Sequence, residues 1–247
     1  MSNFSHESHK TSLMEHWMNN LVGSFVTIFT LHRSNPKSGA YSGVDEQMLE
    51  RCLRYASDKG YEFVSIDQLI EDAFAGKSYK QPAICFTLDD GYADQANRLL
   101  PMLLKYNASP SLFVITDFLD QKMWPWDAKL TYLIWNTPLQ FITINIGQQK
   151  LVLDLSSQSK RIMARRKVIQ AVKALESSLQ VDSIFTVAEN CQLVIPKDAP
   201  DDFTPVTWDH LRSLEKQGLR VGSHTKSHLV FNSASPSLVT HELMHSK

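Results

Sequence analysis

The chain has 247 residues, 43% of them hydrophobic and 21% charged, with a formal net charge of −1. That length suits one domain of barrel or doubly wound size, or two small ones, around a sizeable core. A near-neutral balance argues against nucleic acid or an anionic membrane as partner, and the one dense basic run, Arg161–Lys167, reads as the wet face of a helix.

Cys52, Cys85 and Cys191 are far apart and odd in number, so they indicate neither a disulfide framework nor a thiolate zinc site. Cys52 and Cys85 sit in apolar runs and read as small core residues, which fits a reducing compartment. The longest apolar stretch, Leu21–Leu31, is shorter than the roughly twenty residues a membrane span needs. It lacks a basic leader and a small-residue cleavage site, so it reads as a first buried strand, and a cytoplasmic location is expected. Residues 1–20, with His6, His9 and His16, read as a polar tail.

Ser24–Leu31 is β-branched and aromatic and ends in His32-Arg33 before a Ser-Asn-Pro turn, the pattern of a strand and its exit loop. Asp45–Lys59 has apolar residues at helical spacing with Gly60 behind it. Tyr61–Val64 is a short strand, and Ser65 caps a helix over Ile66–Ala75. Ala83–Leu88 is almost continuously apolar, as a strand buried on both faces should be, and ends in Asp89-Asp90-Gly91-Tyr92. A helix is expected over Ala93–Tyr106, a strand over Ser111–Thr116, and a helix over Asp127–Asn136 after Trp124-Pro125-Trp126.

Residues 137–200 break this rhythm and read as an insertion or enlarged crossover in a chain otherwise occupied by one domain over 21–247. Phe141–Asn145 and Lys150–Leu155 alternate like a hairpin, and a basic helix covers about Lys160–Leu179. Thr207 then caps a helix over Trp208–Gln217, Leu219–Gly222 is a strand running into His224-Thr225-Lys226-Ser227-His228, and a last helix starts near Pro236. Strand–helix alternation predicts a mainly parallel α/β fold, in which chemistry gathers at the carboxyl ends of strands. Asp89-Asp90 and the His224/His228 pair both fall at such ends.

Hydrolysing an unactivated amide or ester at neutral pH needs an activated water. A divalent metal with three protein ligands and an open position supplies it, and two histidines with one carboxylate suit the task. Adjacent carboxylates divide the labour: one holds the metal while its neighbour serves as general base. A histidine–histidine–carboxylate set also suits iron oxygenases, but the second carboxylate favours hydrolysis. His241-Glu242-Leu243-Met244-His245 matches the H-E-x-x-H pattern of zincin metalloproteases, the alternative from another class. Zincins take a further ligand downstream, and only Ser246 and Lys247 follow.

FTLDDGY (86–92) and GSHTKSH (222–228) together resemble the first two motifs of the polysaccharide deacetylases, the NodB-homology carbohydrate esterases. The likeness runs from about Phe25 to the chain's end. It implies a distorted β/α barrel, a divalent metal, often zinc, and a carbohydrate substrate. The reaction it implies is removal of N-acetyl or O-acetyl groups from a polysaccharide or glycoconjugate, at a carbon–nitrogen bond other than a peptide for the amide. Carried over residue by residue, Asp89 is the general base, Asp90, His224 and His228 are the metal ligands, and Thr225 braces the second motif. Tyr92, Trp124, Trp126 and His32 are candidates for sugar contact, and so for a non-catalytic carbohydrate-binding protein. The family's later motifs, with an arginine, a tryptophan and a late histidine acid, do not follow His228, so a barrel incomplete at its carboxyl end is expected.

Overall fold

The computed structural model describes residues 25–246. The tail with His6, His9 and His16 lies outside them. Val26–Leu31 (β1), Glu62–Phe63 (β2), Ala83–Asp90 (β3), Ser111–Val114 (β4) and Arg220–Ser223 (β7) form one parallel sheet in the order β1-β3-β4-β7, with β2 beside β3. Crossover helices follow their sequence signals. Asp45 accepts from Met48 N to open Glu46–Asp58 (α1), and Ser65 accepts from Gln68 N to open Ile66–Phe74 (α2).

β3 is the central strand. Cys85, Phe86 and Leu88 are buried on it, as its apolar run requires. β1 differs from expectation. It pairs only with β3 among the described residues, and Ile28 and Phe29 stay about half exposed, so it is a sheet edge and not a buried strand. Cys52 is likewise exposed on α1, whereas Cys85 and Cys191 are buried.

The single helix expected after Asp90 is broken. A π-helical turn, Gln95–Leu99, precedes Leu100–Lys105 (α3). Pro101 explains it: the ring lacks an N–H and clashes with the carbonyl four residues back, so the turn widens. Thr116–Leu119 (α4) and Trp126–Asn136 (α5) follow β4.

Between α5 and the last strand, the hairpin Phe141–Ile146 (β5) and Gln149–Asp154 (β6) packs with Gln158–Lys173 (α6) and Ser177–Asn190 (α7). Leu133, Ile144, Leu153, Val168 and Val187 fill a second apolar cluster there. The basic helix expected over Lys160–Leu179 ends at Lys173, and a separate helix begins at Ser177. Ile184, Val187 and Ala188, at helical spacing, give that second helix its buried face. Arg161 donates to the carbonyls of Ile134 and Trp135, closing the carboxyl end of α5. Trp208–Glu215 (α8), capped by Thr207, leads to β7, and Pro236–Met244 (α9) ends the described chain.

Register brings the strand ends together. Asp90 lies opposite Val114, and Val114 opposite Ser223. The acidic turn and the histidine loop therefore emerge two strands apart on the same edge of the sheet. Two glycines permit the close packing this needs. Gly91 has φ 91°, and a Cβ there would stand 2.8 Å from Leu119 Cδ1. A Cβ on Gly222 would stand 2.6 Å from the Phe113 ring.

Candidate metal centre

Asp90, His224 and His228 converge. Each offers one ligand atom, and these atoms lie within 4.8 Å of one another. Asp90 Oδ1 is 3.6 Å from Nε2 of both histidines. Ligands held about 2.0–2.2 Å from one tetrahedral ion stand roughly 3.3–3.6 Å apart, so donor type and spacing both fit a divalent cation such as zinc. Asp90 is buried, and the histidines are half-buried beside an open cavity of about 760 Å³.

The loops that carry these ligands are strained. Asp90, Thr225 and His228 have φ of 84°, 69° and 63°, a region that costs a non-glycine residue about 1–3 kcal/mol. Surrounding bonds hold them there. Gln95 is fully buried and clamps the acidic turn: its Oε1 accepts from Gly91 N at 3.1 Å and Tyr92 N at 2.8 Å, and its Nε2 donates to the carbonyls of His32 and Asp89. Thr225 Oγ1 accepts from His228 N at 3.0 Å. Thr116 N and Asp117 N donate to the carbonyls of Thr225 and Lys226, so α4 anchors the histidine loop.

Glu242 completes that anchor. It is 4% exposed, and Oε2 accepts from Lys226 N at 2.9 Å and Ser227 N at 2.8 Å, while Oε1 accepts from Ser227 Oγ at 2.7 Å. This corrects the zincin reading. The glutamate is consumed in bracing the deacetylase-like loop, and His241 and His245 stack on each other at 4.1 Å in solvent with no third ligand grouped with them among the described residues. Replacing His241 and His245 together by alanine leaves metal content unchanged, as elemental analysis of the purified variant would register.

Behind His228 stands Asp127, from the start of α5. Its Oδ1 lies 3.3 Å from His228 Nδ1, off the line of a full hydrogen bond, and neither buried atom has another partner among the described residues. Burial works against a charged imidazole, yet Asp127 and then Asp90 pull His228 up to about 9. Burial alone would raise Asp127, but His228 and Arg165 outweigh it and hold the carboxyl low. Burial raises Asp90, Asp127 adds to this, and the two histidines oppose it. Arg165, on α6, donates from Nε to Thr131 Oγ1 at 2.6 Å beside the same carboxylate. Asp127 and Arg165 carry no motif; the only sequence signal was a carboxylate opening a helix after Trp-Pro-Trp.

The remaining candidates separate. Asp89 turns toward His32, with Oδ2 3.9 Å from Nε2, and His32 is 62% exposed at the rim of the metal cavity. Trp126 is half-buried; its indole N–H donates to His228 O at 3.1 Å, and it lines the cavity. Trp124 does not serve as a sugar platform. It is 2% exposed, packs against Tyr132 and Phe203, and donates to Pro196 O. Tyr92 is also withdrawn: it is 3% exposed, with Phe118 at its edge and the Arg33 guanidinium 3.6 Å from its ring centre. Burial, then the charges of Asp127 and Asp90, keeps its phenol protonated far above the ordinary range.

A parallel α/β sheet thus carries an acid–histidine–histidine cluster at its strand ends. A family model described as polysaccharide deacetylase matches residues 76–247, and the chain belongs to that family. No curated protein matches the chain. Among solved structures it is similar in fold to the Streptococcus pyogenes deacetylase PplD in complex with acetate, at 16% identity and TM-score 0.51, over 92% of this chain and 66% of that one. A de-N-acetylase from Aggregatibacter actinomycetemcomitans (20% identity, TM-score 0.38) is matched over 81% of this chain and 54% of its own. IcaB from Ammonifex degensii (15% identity, TM-score 0.43) is matched over 82% and 54%. The chain thus spans between 54% and 66% of the length of these structures. Among the described residues no helix is long and apolar enough to cross a membrane.

Proposed function

We propose that the chain carries the metal-binding part of a deacetylase that hydrolyses an acetamido or O-acetyl group on a polysaccharide or glycoconjugate. The observation that carries this reading is the convergence of Asp90, His224 and His228 at ligand spacing, with Asp90 and His228 on strained backbone. Two imidazoles and one carboxylate favour zinc, which when bound would supply Lewis acidity and a water of lowered pKa.

This chain's own residues divide the rest. Asp89, at the same strand end, takes the proton of the attacking water as general base, with the His32 ring 3.9 Å away. Trp126 offers its ring to the sugar bearing the acetyl group, held by its bond to the His228 carbonyl. For the amide, a carbon–oxygen bond forms, the carbon–nitrogen bond breaks, and acetate and a protonated amine leave.

The test is acetate release from chitooligosaccharides by the purified chain. The reading expects release that needs the metal and falls at least about 100-fold in Asp89→Asn. Release that survives chelation, or that Asp89→Asn leaves intact, would contradict it. Sugar binding without any release would favour the non-catalytic carbohydrate-binding reading.

A further inference from the structure

We propose that a groove beside the metal centre is a subsite for a negatively charged sugar, so that the substrate is an anionic glycan. The proposal rests on the deacetylase reading and adds the substrate's charge to it. The groove has a volume of about 500 Å³ and shares Trp126, His228 and Leu229 with the metal cavity, so one continuous surface joins them. A glycan whose acetylated sugar lies at Asp90, His224 and His228 extends its next residues along this groove.

The lining has an unusual charge balance. Lys122, Lys129 and Lys197 all border it, and no aspartate or glutamate does. The whole chain is nearly balanced, with 25 Lys and Arg against 26 Asp and Glu, so the local excess does not come from composition. Lys122 is already neutralised, by Asp117 at 3.2 Å and Asp120 at 2.8 Å. Lys129 and Lys197 have no ion pair among the described residues. Lys129 is moreover half-buried, and that burial lowers its pKa. Its ammonium lies over the Trp124 ring at 5.9 Å, which offsets part of the cost of burial but supplies no counter-ion, so an anionic ligand would relieve the rest.

The other wall is apolar. Val181 and Phe185, on α7, are each 58% exposed and face the groove together with Trp126. Acidic sugars present C–H faces to such surfaces and carry their charge on the rim, which matches an apolar wall flanked by two lysines outside any ion pair among the described residues. A neutral polymer would use the wall and leave both ammonium groups without a counter-ion. A purely ionic partner would leave the wall unused.

Three probes separate these cases: a hyaluronan hexasaccharide, with alternating glucuronate and N-acetylglucosamine; chitohexaose, neutral but equally N-acetylated; and polyglutamate, charged but without sugar. Binding to the full chain is followed by calorimetry at low and high salt. The proposal expects the acidic hexasaccharide to bind roughly tenfold tighter than chitohexaose at low salt, an advantage that shrinks as salt screens it. In Lys129→Ala/Lys197→Ala the ratio falls to about one, while Trp126→Ala weakens both sugars. Equal binding of the two sugars by the unaltered chain overturns the proposal, as does polyglutamate binding as tightly as the acidic sugar. Metal uptake at the triad is measured separately. Its absence would sink the deacetylase reading and leave the sugar comparison readable on its own.

Discussion

Replacing Asp127 by asparagine weakens zinc binding by about 10- to 100-fold, the range seen when the outer partner of a metal-bound histidine is altered. In the proposed site His228 presents Nε2 to the ion, which requires its proton on Nδ1. Asp127 Oδ1, 3.3 Å from that nitrogen and without another partner among the described residues, is the carboxylate that stands beside it. Asparagine keeps the shape and loses the charge, so the loss reports orientation and basicity and not a collapsed helix. Asp127→Ala goes further, because it also strips the carboxylate from beside half-buried Arg165. Competition titration against a chromophoric chelator gives the affinity. An unchanged value in a folded Asp127→Asn protein would show that His228 needs no such support.

Glu242→Ala lowers stability by about 3 kcal/mol, from loss of a charged acceptor that leaves two backbone N–H groups unmet. For a chain of this size that corresponds to a melting temperature roughly 6–12 °C lower. Metal affinity falls with it, because the residues released are Lys226 and Ser227, between the two histidine ligands. Glu242→Gln, which still accepts through one oxygen, recovers part of both. A metalloprotease role would give the opposite pattern: Glu242→Gln would keep its metal and its fold and lose activity. Thermal unfolding with and without zinc decides between them.

The juxtaposition of Asp90, His224 and His228 was legible because one strand closes on Asp90 and another runs directly into the loop that carries both histidines. An apolar run that stops on Asp-Asp-Gly and a second strand that stops on Gly-Ser-His place their side chains at one edge of a parallel sheet. The supports were not legible. Gln95 and Asp127 act on partners up to 101 positions away, for Asp127 and His228, and nothing local marks such a pairing. Glu242 was visible but misleading: histidines four apart share a helix face whatever they do, so the pattern could not tell a zincin base from a loop brace. Trp124 and Trp126 flank Pro125 where α5 begins, so no helical or strand period told the buried ring from the half-exposed one. The edge position of β1 escaped for a related reason. An apolar strand says that it pairs, not on how many sides.

Zinc titration into the metal-free chain, followed by X-ray absorption at the zinc edge, addresses the centre most directly. The account predicts one tightly held ion per chain, with two imidazole nitrogens and a carboxylate oxygen at about 2.0–2.2 Å, and loss of that ion in His224→Ala/His228→Ala. Failure to take up one equivalent, or uptake that persists in the double variant, would contradict it.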